Sequence, residues 1–396
     1  MKKVLSFLVA VVMLFSTFAI GISAKKSDPS LRFNEDGKFR ILQIADLQDN
    51  AVLNPVAKDF IKAAIEREKP DLIVLTGDNF AGYSTGTNIF RCIDKSLAKD
   101  AIDQYMSIFE KYGIPVTMVP GNHDDQDIKL TKEDELALYQ KYDCFIGYDA
   151  DPEMYGCGTH NIPIYSSKNA YDLAYNIWMF DSNTYDEELG GYDYVHDDQV
   201  EWYINKSNEL KAANGGKVVP SMAFQHIVVR EILDTMEECA EGTPNSMPNN
   251  GKFYKFKDEY YKAGNFKEWP CPGTRQSKQF SAMVDQGDVV AMFFGHDHNN
   301  SYEVNYKGID LVATPGFTFS SYGNEEKGFR VIDLDENDTS TYESHIIQWK
   351  DYYGSSKMAM NHYNMYAQEN SGWVKFTSAL KYIPFALIKV LFGYIF

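Results

Sequence analysis

The sequence has 396 residues and a net charge of −18, and 44% of its residues are hydrophobic and 14% aromatic. This composition is sufficient for the packed core of one large domain or two small ones. The acidic balance argues against nucleic acid or an anionic membrane as a general partner, so an anionic substrate would have to be attracted by local cations such as bound metal ions.

The N-terminal residues have the layout of a secretory signal peptide. Met1–Lys3 is basic, Val4–Ile20 is apolar, and small residues lead up to Ala24. This order is typical of exported proteins. We therefore predict a signal peptide over residues 1–24 and a secreted or cell-surface location, with an uncleaved membrane anchor as the alternative.

The sequence contains five cysteines and no CxxC motif, which argues against a cysteine zinc site. Export would permit disulfide bonds, and the pairs closest in sequence are Cys144 with Cys157 and Cys239 with Cys271. The odd number of cysteines means that at least one remains a thiol or pairs between chains.

Apolar runs of strand type alternate with segments of helical periodicity along the chain. This order predicts an α/β fold built on buried strands. The predicted helices are Asn54–Glu68, Ala98–Tyr112, Thr131–Tyr142 and Asp198–Ala212. The predicted strands are Phe39–Ala45, Asp71–Thr76, Ile114–Val119, Ala170–Phe180, Lys217–Phe224, Val289–Phe294, Ile309–Ala313, Gly328–Leu334 and Tyr342–Gln348.

Residues 227–287 form the least regular part of the sequence. They are rich in Glu, Gly, Pro, Asn and Tyr. Long irregular segments in a compact domain are usually functional or disordered. We predict a long loop excursion over one face of the domain.

Metal-ligating side chains follow five of the predicted strands at the point where each strand ends. Ligands in open α/β sheets bind at the carboxyl ends of the strands, so these side chains are expected to meet. They offer oxygen and nitrogen donors and no thiolate, which predicts a metal site. The residues are Asp46, Asp78, Asn122 with His123, His226, and His296 with His298.

This set of side chains is sufficient to hold two metal ions. A carboxylate can bridge the ions, and an amide oxygen can complete one coordination sphere. Two ions about 3.5–4 Å apart stabilise the attacking and leaving oxygens of a phosphoryl displacement and lower the pKa of a bound water to ~7. A neighbouring imidazole can protonate the leaving alkoxide.

The motifs DLQ (46–48), GDN (77–79), GNHD (121–124), QH (225–226) and GHDH (295–298) resemble those of the calcineurin-like metallophosphoesterases. The wider sequence is similar to the secreted, purple-acid-phosphatase-like branch. The resemblance extends from about Phe39 to Leu334. It implies an α/β fold of the four-layer α+β type, with a central β-sandwich flanked by helices and a dinuclear metal site at the C-terminal ends of strands.

The resemblance also implies a role for each residue of the site. His123 would be the general acid that protonates the leaving group, and a metal-bound hydroxide would be the nucleophile. Asp78 would bridge two metal ions, for which iron, manganese or zinc are expected. The other ligands would be Asp46 and His298 at the first ion and Asn122, His226 and His296 at the second ion.

Two positions depart from the family pattern. Gln48 stands where the family usually has a histidine ligand of the first ion. Gln48 could bind through its amide oxygen, be replaced by water, or leave that site weak, and magnesium or calcium are alternatives there. Ala81 cannot orient His123 as an aspartate does in some branches, so Asp124 is predicted to take that role.

These inferences predict an exported phosphoesterase that acts on a small phosphomonoester or phosphodiester rather than on nucleic acid. The alternatives are a phosphodiesterase or nucleotide pyrophosphatase, and a catalytically weakened cell-surface binding protein on the same scaffold. The predicted metallophosphoesterase domain spans residues 34–348, and residues 349–396 form a C-terminal extension. The sequence does not define the oligomeric state.

The apolar C-terminal tail, Leu380–Phe396, allows two interpretations. A helix that begins at Pro384 would be about 20 Å long, too short to span a bilayer core of about 30 Å. One interpretation is a helix packed on the domain. The other is an amphipathic helix that makes peripheral membrane contact, with Lys381 and Lys389 at its edge.

Overall fold

The fold is known from a computed structural model of the full chain. The predicted signal peptide, residues 1–24, lies outside the part of the chain that the structure describes. The described residues are 31–82, 91–124, 126, 130–367 and 370–392, without the side chains of 385, 386 and 389–392.

The strands lie close to their predicted positions, and several further strands occur between them. Within the described residues the strands are β1 (Leu31–Arg32), β2 (Lys38–Ile44), β3 (Leu72–Thr76), β4 (Val116–Val119), β5 (His160–Tyr165), β6 (Leu173–Met179), β7 (Ser221–Phe224), β8 (Met236–Cys239), β9 (Met247–Asn249), β10 (Lys252–Phe256), β11 (Tyr261–Ala263), β12 (Val289–Phe294), β13 (Glu303–Tyr306), β14 (Ile309–Ala313), β15 (Gly328–Asp335) and β16 (Glu343–Gln348).

The predicted helices are all present, and others follow them. Over the same described residues the helices are α1 (Pro55–Glu68), α2 (Lys95–Tyr112), α3 (Lys132–Tyr139), α4 (Asp197–Ala213), a short 3-10 helix (Arg230–Thr235), α5 (Gln279–Gln286), α6 (Trp349–Tyr353), α7 (Lys357–Tyr366) and α8 (Gly372–Phe392).

Two large sheets form the centre of the domain. The five-stranded sheet has the order β16-β15-β2-β3-β4, and the eight-stranded sheet has the order β1-β5-β6-β7-β12-β14-β13-β11. Strands β2, β3 and β4 are parallel, and so are β6, β7, β12 and β14. The carboxyl ends of these parallel strands carry the predicted metal-ligating residues.

Both faces of the central strands are buried, which explains their continuous apolar sequences. In β3, Leu72 and Val74 pack in the core between the two sheets. Ile73 and Leu75 pack against the helices on the outer face. Helices α4 and α5 cover the outer face of the eight-stranded sheet. The structure therefore confirms the predicted α/β fold with a central β-sandwich flanked by helices.

Local capping fixes the helix ends that the sequence predicts. The side chain of Asn54 accepts a hydrogen bond from the backbone N–H of Val56 at the start of α1. The side chain of Thr131 accepts one from Asp134 N at the start of α3. Such caps satisfy backbone donors that have no partner within the helix.

One buried polar side chain connects the two sheets. The guanidinium of Arg330 in β15 donates to Glu303 Oε1 in β13 at 2.5 Å and to the carbonyl of Ala313 in β14 at 2.9 Å. A buried arginine is tolerated only when its donors have partners. These bonds fix the packing of one sheet on the other close to the site.

The segment 227–287 is not the bare loop that the sequence predicted. It contains a three-stranded sheet of order β8-β10-β9, together with β11 and α5. Strands β8 to β10 are short and partly exposed, and their charged and apolar residues do not alternate regularly, so they lack the pattern that identifies a strand. Phe256 and Phe266 anchor the segment on the core of the eight-stranded sheet.

Neither of the disulfide pairs considered from the sequence is formed among the described residues, where all five cysteines are thiols. The side chains of Cys92 and Cys157 are buried. Burial raises the pKa of the Cys92 thiol to about 12. A thiol in such surroundings behaves as a small apolar side chain.

The first part of the C-terminal extension packs on the domain. Trp349 and Tyr363 are buried in the same core as α1 and α2. The sequence suggested a helix that begins at Pro384. Helix α8 instead begins at Gly372, so Pro384 lies inside it. Among the described helices, none is long and apolar enough to cross a membrane.

Candidate metal centre

The predicted ligands lie on sharp turns directly after the strands. Asp46 (φ 50°), Gln48 (φ 36°), Asp78 (φ 51°) and His296 (φ 71°) all have left-handed backbone conformations. This conformation costs a residue with a side chain about 1–2 kcal/mol. Such strain is found at functional sites, where the surrounding structure enforces it.

Glycines allow the turns to approach each other closely. A Cβ atom on Gly121 would lie 2.2 Å from both the backbone nitrogen and Oδ1 of Asp78. A Cβ atom on Gly295 would lie 2.8 Å from Asp46 Oδ2. These positions therefore accept only glycine, which explains why glycine precedes ligand residues in several of the motifs.

The first group of predicted ligands is compact. One ligand atom from each of Asp46, Asp78 and His298 lies within 4.8 Å of the others, and all three residues are buried. His298 Nε2 is 3.3 Å from Asp46 Oδ1. The backbone N–H of His296 donates to Asp46 Oδ2 at 3.0 Å, which fixes the carboxylate.

The second group adjoins the first through Asp78. His226 Nε2 lies 3.4 Å from Asp78 Oδ1, 3.0 Å from Asn122 Oδ1 and 3.3 Å from His296 Nδ1. Four donor atoms from four different strand ends therefore face each other. The structure thus brings together all six of the Asp, Asn and His residues predicted to hold metal.

Gln48, the departure from the family pattern, also lies in the site. Its amide nitrogen donates to Asp78 Oδ2 at 2.7 Å. Its amide oxygen, Oε1, is buried and has no hydrogen-bond partner. An unpaired buried acceptor is costly, so this oxygen is suited to a cation.

His123 lies beside the two groups on the same loop as Asn122. Its backbone N–H donates to Asp78 Oδ1 at 2.9 Å. Its side chain is partly exposed, and ring atom Nδ1 is bonded to Gln126 Oε1. A half-exposed imidazole at the edge of a buried cluster can meet a substrate and exchange protons with solvent.

Asp124, which the sequence predicted as the residue that orients His123, makes hydrogen bonds to other groups. Its carboxylate accepts hydrogen bonds from the backbone N–H groups of Asn79 at 2.7 Å and Gly121 at 2.8 Å. Asp124 therefore holds two of the ligand-bearing turns together. The amide oxygen of Gln126 contacts Nδ1 of His123.

Partners outside the site fix the orientation of the ligand side chains. The carbonyl of Thr76 is 2.8 Å from His226 Nδ1, and the carbonyl of Tyr322 is 2.8 Å from His298 Nδ1. The amide nitrogen of Asn122 donates to the Tyr185 hydroxyl at 3.0 Å. Each contact turns the remaining nitrogen or oxygen atom towards the cluster, as is usual for metal ligands.

Sequence reasoning assigned no role in the site to Gln126, Tyr185 or Tyr322. They lie in loops, and no spacing rule relates them to the motifs. The aromatic rings of Tyr322 and His298 stack at 4.0 Å, and Tyr192 meets the ring of His296 edge-on at 4.3 Å. Tyrosines therefore form part of the wall around the ligand histidines.

Electrostatic attraction between carboxylates and imidazoles shifts the pKa values of the cluster. Burial alone would raise the pKa of Asp78, but the imidazoles of His226 and His123 hold it far below its usual range. Burial would lower the pKa of His226, but Asp78 raises it to about 10. Burial and the charge of His226 keep the pKa of His296 well below its usual range.

The residues present fit a pair of metal ions. Buried carboxylates and imidazoles without a cation would be costly, since each would lose its hydration. The donor set is carboxylate, imidazole and amide oxygen, which suits iron, manganese or zinc and, at the more oxygen-rich position, magnesium or calcium. The unpaired oxygen of Gln48 is the observation that most directly favours a cation.

Gly77→Ala is expected to destabilise the site through contact rather than through backbone strain. A Cβ atom on Gly77 (φ +85°) would lie 2.7 Å from His226 Nδ1, whereas Gly216 (φ +83°) has nothing within 4 Å. Urea unfolding should show that Gly77→Ala costs at least about 2 kcal/mol more than the matched control Gly216→Ala. Equal costs for the two variants would show that the turns are not tightly packed.

Gln48→His is expected to raise the affinity for zinc or manganese at the first ion by about tenfold, since imidazole is the stronger ligand. Calorimetric titration of the metal-free protein measures this change. Gln276→His, which adds an exposed imidazole elsewhere, is the control. An unchanged affinity in Gln48→His would contradict a place for residue 48 in the coordination sphere.

Comparison with known proteins agrees with this geometry. The sequence profile described as calcineurin-like phosphoesterase matches residues 39–300. The chain is 27% identical over 352 residues to "Probable inactive purple acid phosphatase 29" of Arabidopsis thaliana, covering 80% of this chain and 82% of that protein. It is 24% identical over 364 residues to "Phosphatase DCR2" of Saccharomyces cerevisiae, covering 83% of this chain and 56% of that protein.

Among solved structures, a dimetal phosphatase from Danio rerio matches with 13% identity and a TM-score of 0.48, covering 78% of this chain and 99% of that chain. The family profile extends over more than half of the sequence and includes all five motifs. The resemblance found in the motifs is thereby confirmed, and the chain belongs to the calcineurin-like phosphoesterase family.

Proposed function

We propose that the protein is an exported, metal-dependent phosphoesterase that hydrolyses a small phosphomonoester or phosphodiester. The observation that carries the proposal is the convergence of the predicted ligands on Asp78, with His123 at the edge of the cluster. Family membership supports the reaction class. The names of relatives include both a phosphatase and an inactive phosphatase, so turnover by this chain is part of the proposal.

Two metal ions, when bound, supply an activated water at neutral pH and stabilise negative charge on the phosphoryl oxygens. Asp78 is proposed to bridge them. Gln48 is proposed to add its amide oxygen to the first ion, where magnesium or calcium are alternatives to iron, manganese or zinc. The remaining ligands are proposed to be Asp46 and His298 at the first ion and Asn122, His226 and His296 at the second.

His123 is proposed to protonate the leaving oxygen of the substrate. In the imidazolium form, Nδ1–H donates to the amide oxygen of Gln126, and we assign the transferred proton to Nε2. The backbone hydrogen bond from His123 N to Asp78 Oδ1 holds residue 123 next to the cluster, which supports this role. Because Gln126 is neutral, it orients the ring without holding the proton as strongly as a carboxylate would.

The partly exposed tyrosines beside the ligands are proposed to form the entrance to the site. Tyr185 contacts Asn122, and Tyr322 contacts His298 and, through its hydroxyl, Glu268 Oε1 at 2.8 Å. Glu268 belongs to the segment 227–287, so this segment borders the loop that carries the ligand histidines. A phosphodiester or nucleotide pyrophosphate substrate would have to pass the same tyrosines.

A second candidate function is a cell-surface binding protein with weakened catalysis. The observation that favours it is the bond from the Gln48 amide nitrogen to Asp78 Oδ2, which occupies an atom of the proposed bridging carboxylate. If the bond persists in the loaded site, the first ion would be held less tightly. Such a protein would still bind phosphate esters at the second ion.

Loss of the general acid should depend on the leaving group. With manganese, zinc, iron, magnesium or calcium added in turn, His123→Ala should lower kcat on glycerol phosphate by about 10²–10⁴-fold. The loss on nitrophenyl phosphate should be smaller, because nitrophenolate leaves without a proton. Asp78→Asn should abolish turnover of both substrates, and His345→Ala, an exposed histidine, is the control.

The two candidate functions give different results in that experiment. Turnover that is lost in Asp78→Asn and reduced in His123→Ala supports the phosphoesterase. Phosphate binding measured by calorimetry, without turnover under any metal, supports the binding protein. An active wild type with an equally active Asp78→Asn variant would contradict both.

Export is proposed from the basic and apolar layout of the first 24 residues. In a secreting host, the protein is expected outside the cytoplasm with a mature N-terminus close to Lys25. N-terminal sequencing of the recovered protein measures this. An intact Met1 on a cytoplasmic product would contradict the proposal.

A further inference from the structure

Helix α8 exposes a continuous row of large apolar side chains. The exposed fractions are 54% for Phe376, 60% for Leu380 and 47% for Ile383. Spacings of three and four residues place the row on one face of the helix, within an arc of about 80° at 3.6 residues per turn. We call this row the α8 stripe, and its members are Trp373, Phe376, Leu380, Ile383 and Leu387.

The opposite face of α8 is attached to the protein. Ser378 is buried, and the ring of Tyr382 stacks on that of His362 in α7 at 4.2 Å with an angle of 3°. At 3.6 residues per turn, Ser378 points about 180° and Tyr382 about 140° away from the centre of the α8 stripe. The helix is therefore held in an orientation that turns the stripe away from α7.

The charge of α8 differs from that of the rest of the chain. The sequence of α8 contains Lys375, Lys381 and Lys389 and no Asp or Glu, whereas the whole chain has a net charge of −18. Lys375 and Lys381 lie on either side of the α8 stripe, each about 120° from its centre. Lysines in these positions reach the headgroup level while the apolar residues are inserted.

We propose that α8 lies in the plane of a membrane and docks the protein on an anionic lipid bilayer through the α8 stripe. An exposed apolar stripe flanked by lysines is the arrangement of interfacial helices. The helix is not long and apolar enough to span a bilayer, which agrees with a position at the interface. The local positive charge offsets the general repulsion between the acidic chain and anionic lipid.

A second copy of the chain fits the stripe less well than lipid does. Two α8 helices packed through their stripes would bring the lysine rows of both copies side by side. Like charges in such contact oppose association. Anionic headgroups instead complement both lysines, which is why lipid is the occupant that we propose.

Sedimentation with vesicles tests the proposal on the mature full-length protein. The wild type should bind vesicles of phosphatidylcholine and phosphatidylglycerol in equal parts, and binding to phosphatidylcholine alone should be weaker. Leu380→Glu should reduce the bound fraction by at least about tenfold, because a charge would enter the apolar interface. Lys375→Gln with Lys381→Gln should reduce only the binding to anionic vesicles.

Matched controls separate docking from folding and from catalysis. Tyr171→Glu changes a side chain that is 90% exposed and lies outside α8, and it should bind vesicles like the wild type. The α8 variants should keep the thermal unfolding of the wild type, since Leu380 and Lys381 are exposed and Lys375 is only partly buried. The α8 variants should also keep the activity of the wild type on soluble substrates. A loss of vesicle binding can therefore be distinguished from a failure of the proposed phosphoesterase activity.

Two outcomes would overturn the proposal. In the first, the wild type does not sediment with anionic vesicles, or Leu380→Glu sediments as well as the wild type. In the second, light scattering shows a dimer that Leu380→Glu converts to a monomer, without vesicle binding by either protein. The second result would assign the α8 stripe to contact between copies.

Discussion

The site depends on one shared group, the carboxylate of Asp78. It accepts hydrogen bonds from the side chain of Gln48 and the backbone of His123, and its Oδ1 faces His226 Nε2. The carboxylate is fully buried, so it requires all of these partners. Its position after β3, the strand between β2 and β4, places it where turns from both sheets meet. The relative position of the two sheets therefore determines the geometry of the site.

The packing of the sandwich explains how strained turns persist at that position. Left-handed conformations at Asp46, Asp78 and His296 would relax if the turns could separate. Gly121 and Gly295 instead allow the turns to touch, and Asp124 ties the Asp78 turn to the Asn122 turn. The energy stored in the turns is thus balanced by the packing of two large sheets. Stability and function are linked because the same contacts serve both.

The strands and the ligand set could be predicted because both leave local signals. Val289–Phe294 is a continuous apolar run that ends in GHDH, and the structure has β12 with the same bounds. The strands of residues 236–263 were missed because they are short and partly exposed, and their charged and apolar residues do not alternate regularly. Gln126 was missed, and the partners of Asp124 were not foreseen, because the direction of a side chain in an irregular loop depends on contacts far away in sequence. No periodicity reports such contacts.

Protons and metal ions compete for the same atoms of the cluster. Asp78 raises the pKa of His226 to about 10, so the side chains alone retain a proton between the two residues near neutral pH. An imidazole must give up that proton to become a ligand. Gln48 differs from a histidine in this competition, because an amide carries no titratable proton. Its unpaired oxygen could bind a cation without first losing a proton. A first ion would therefore meet less competition from protons at residue 48 than at a histidine, although an amide would bind it less tightly. The same competition applies at both proposed positions, because neighbouring carboxylates raise the pKa of His298 as well as that of His226.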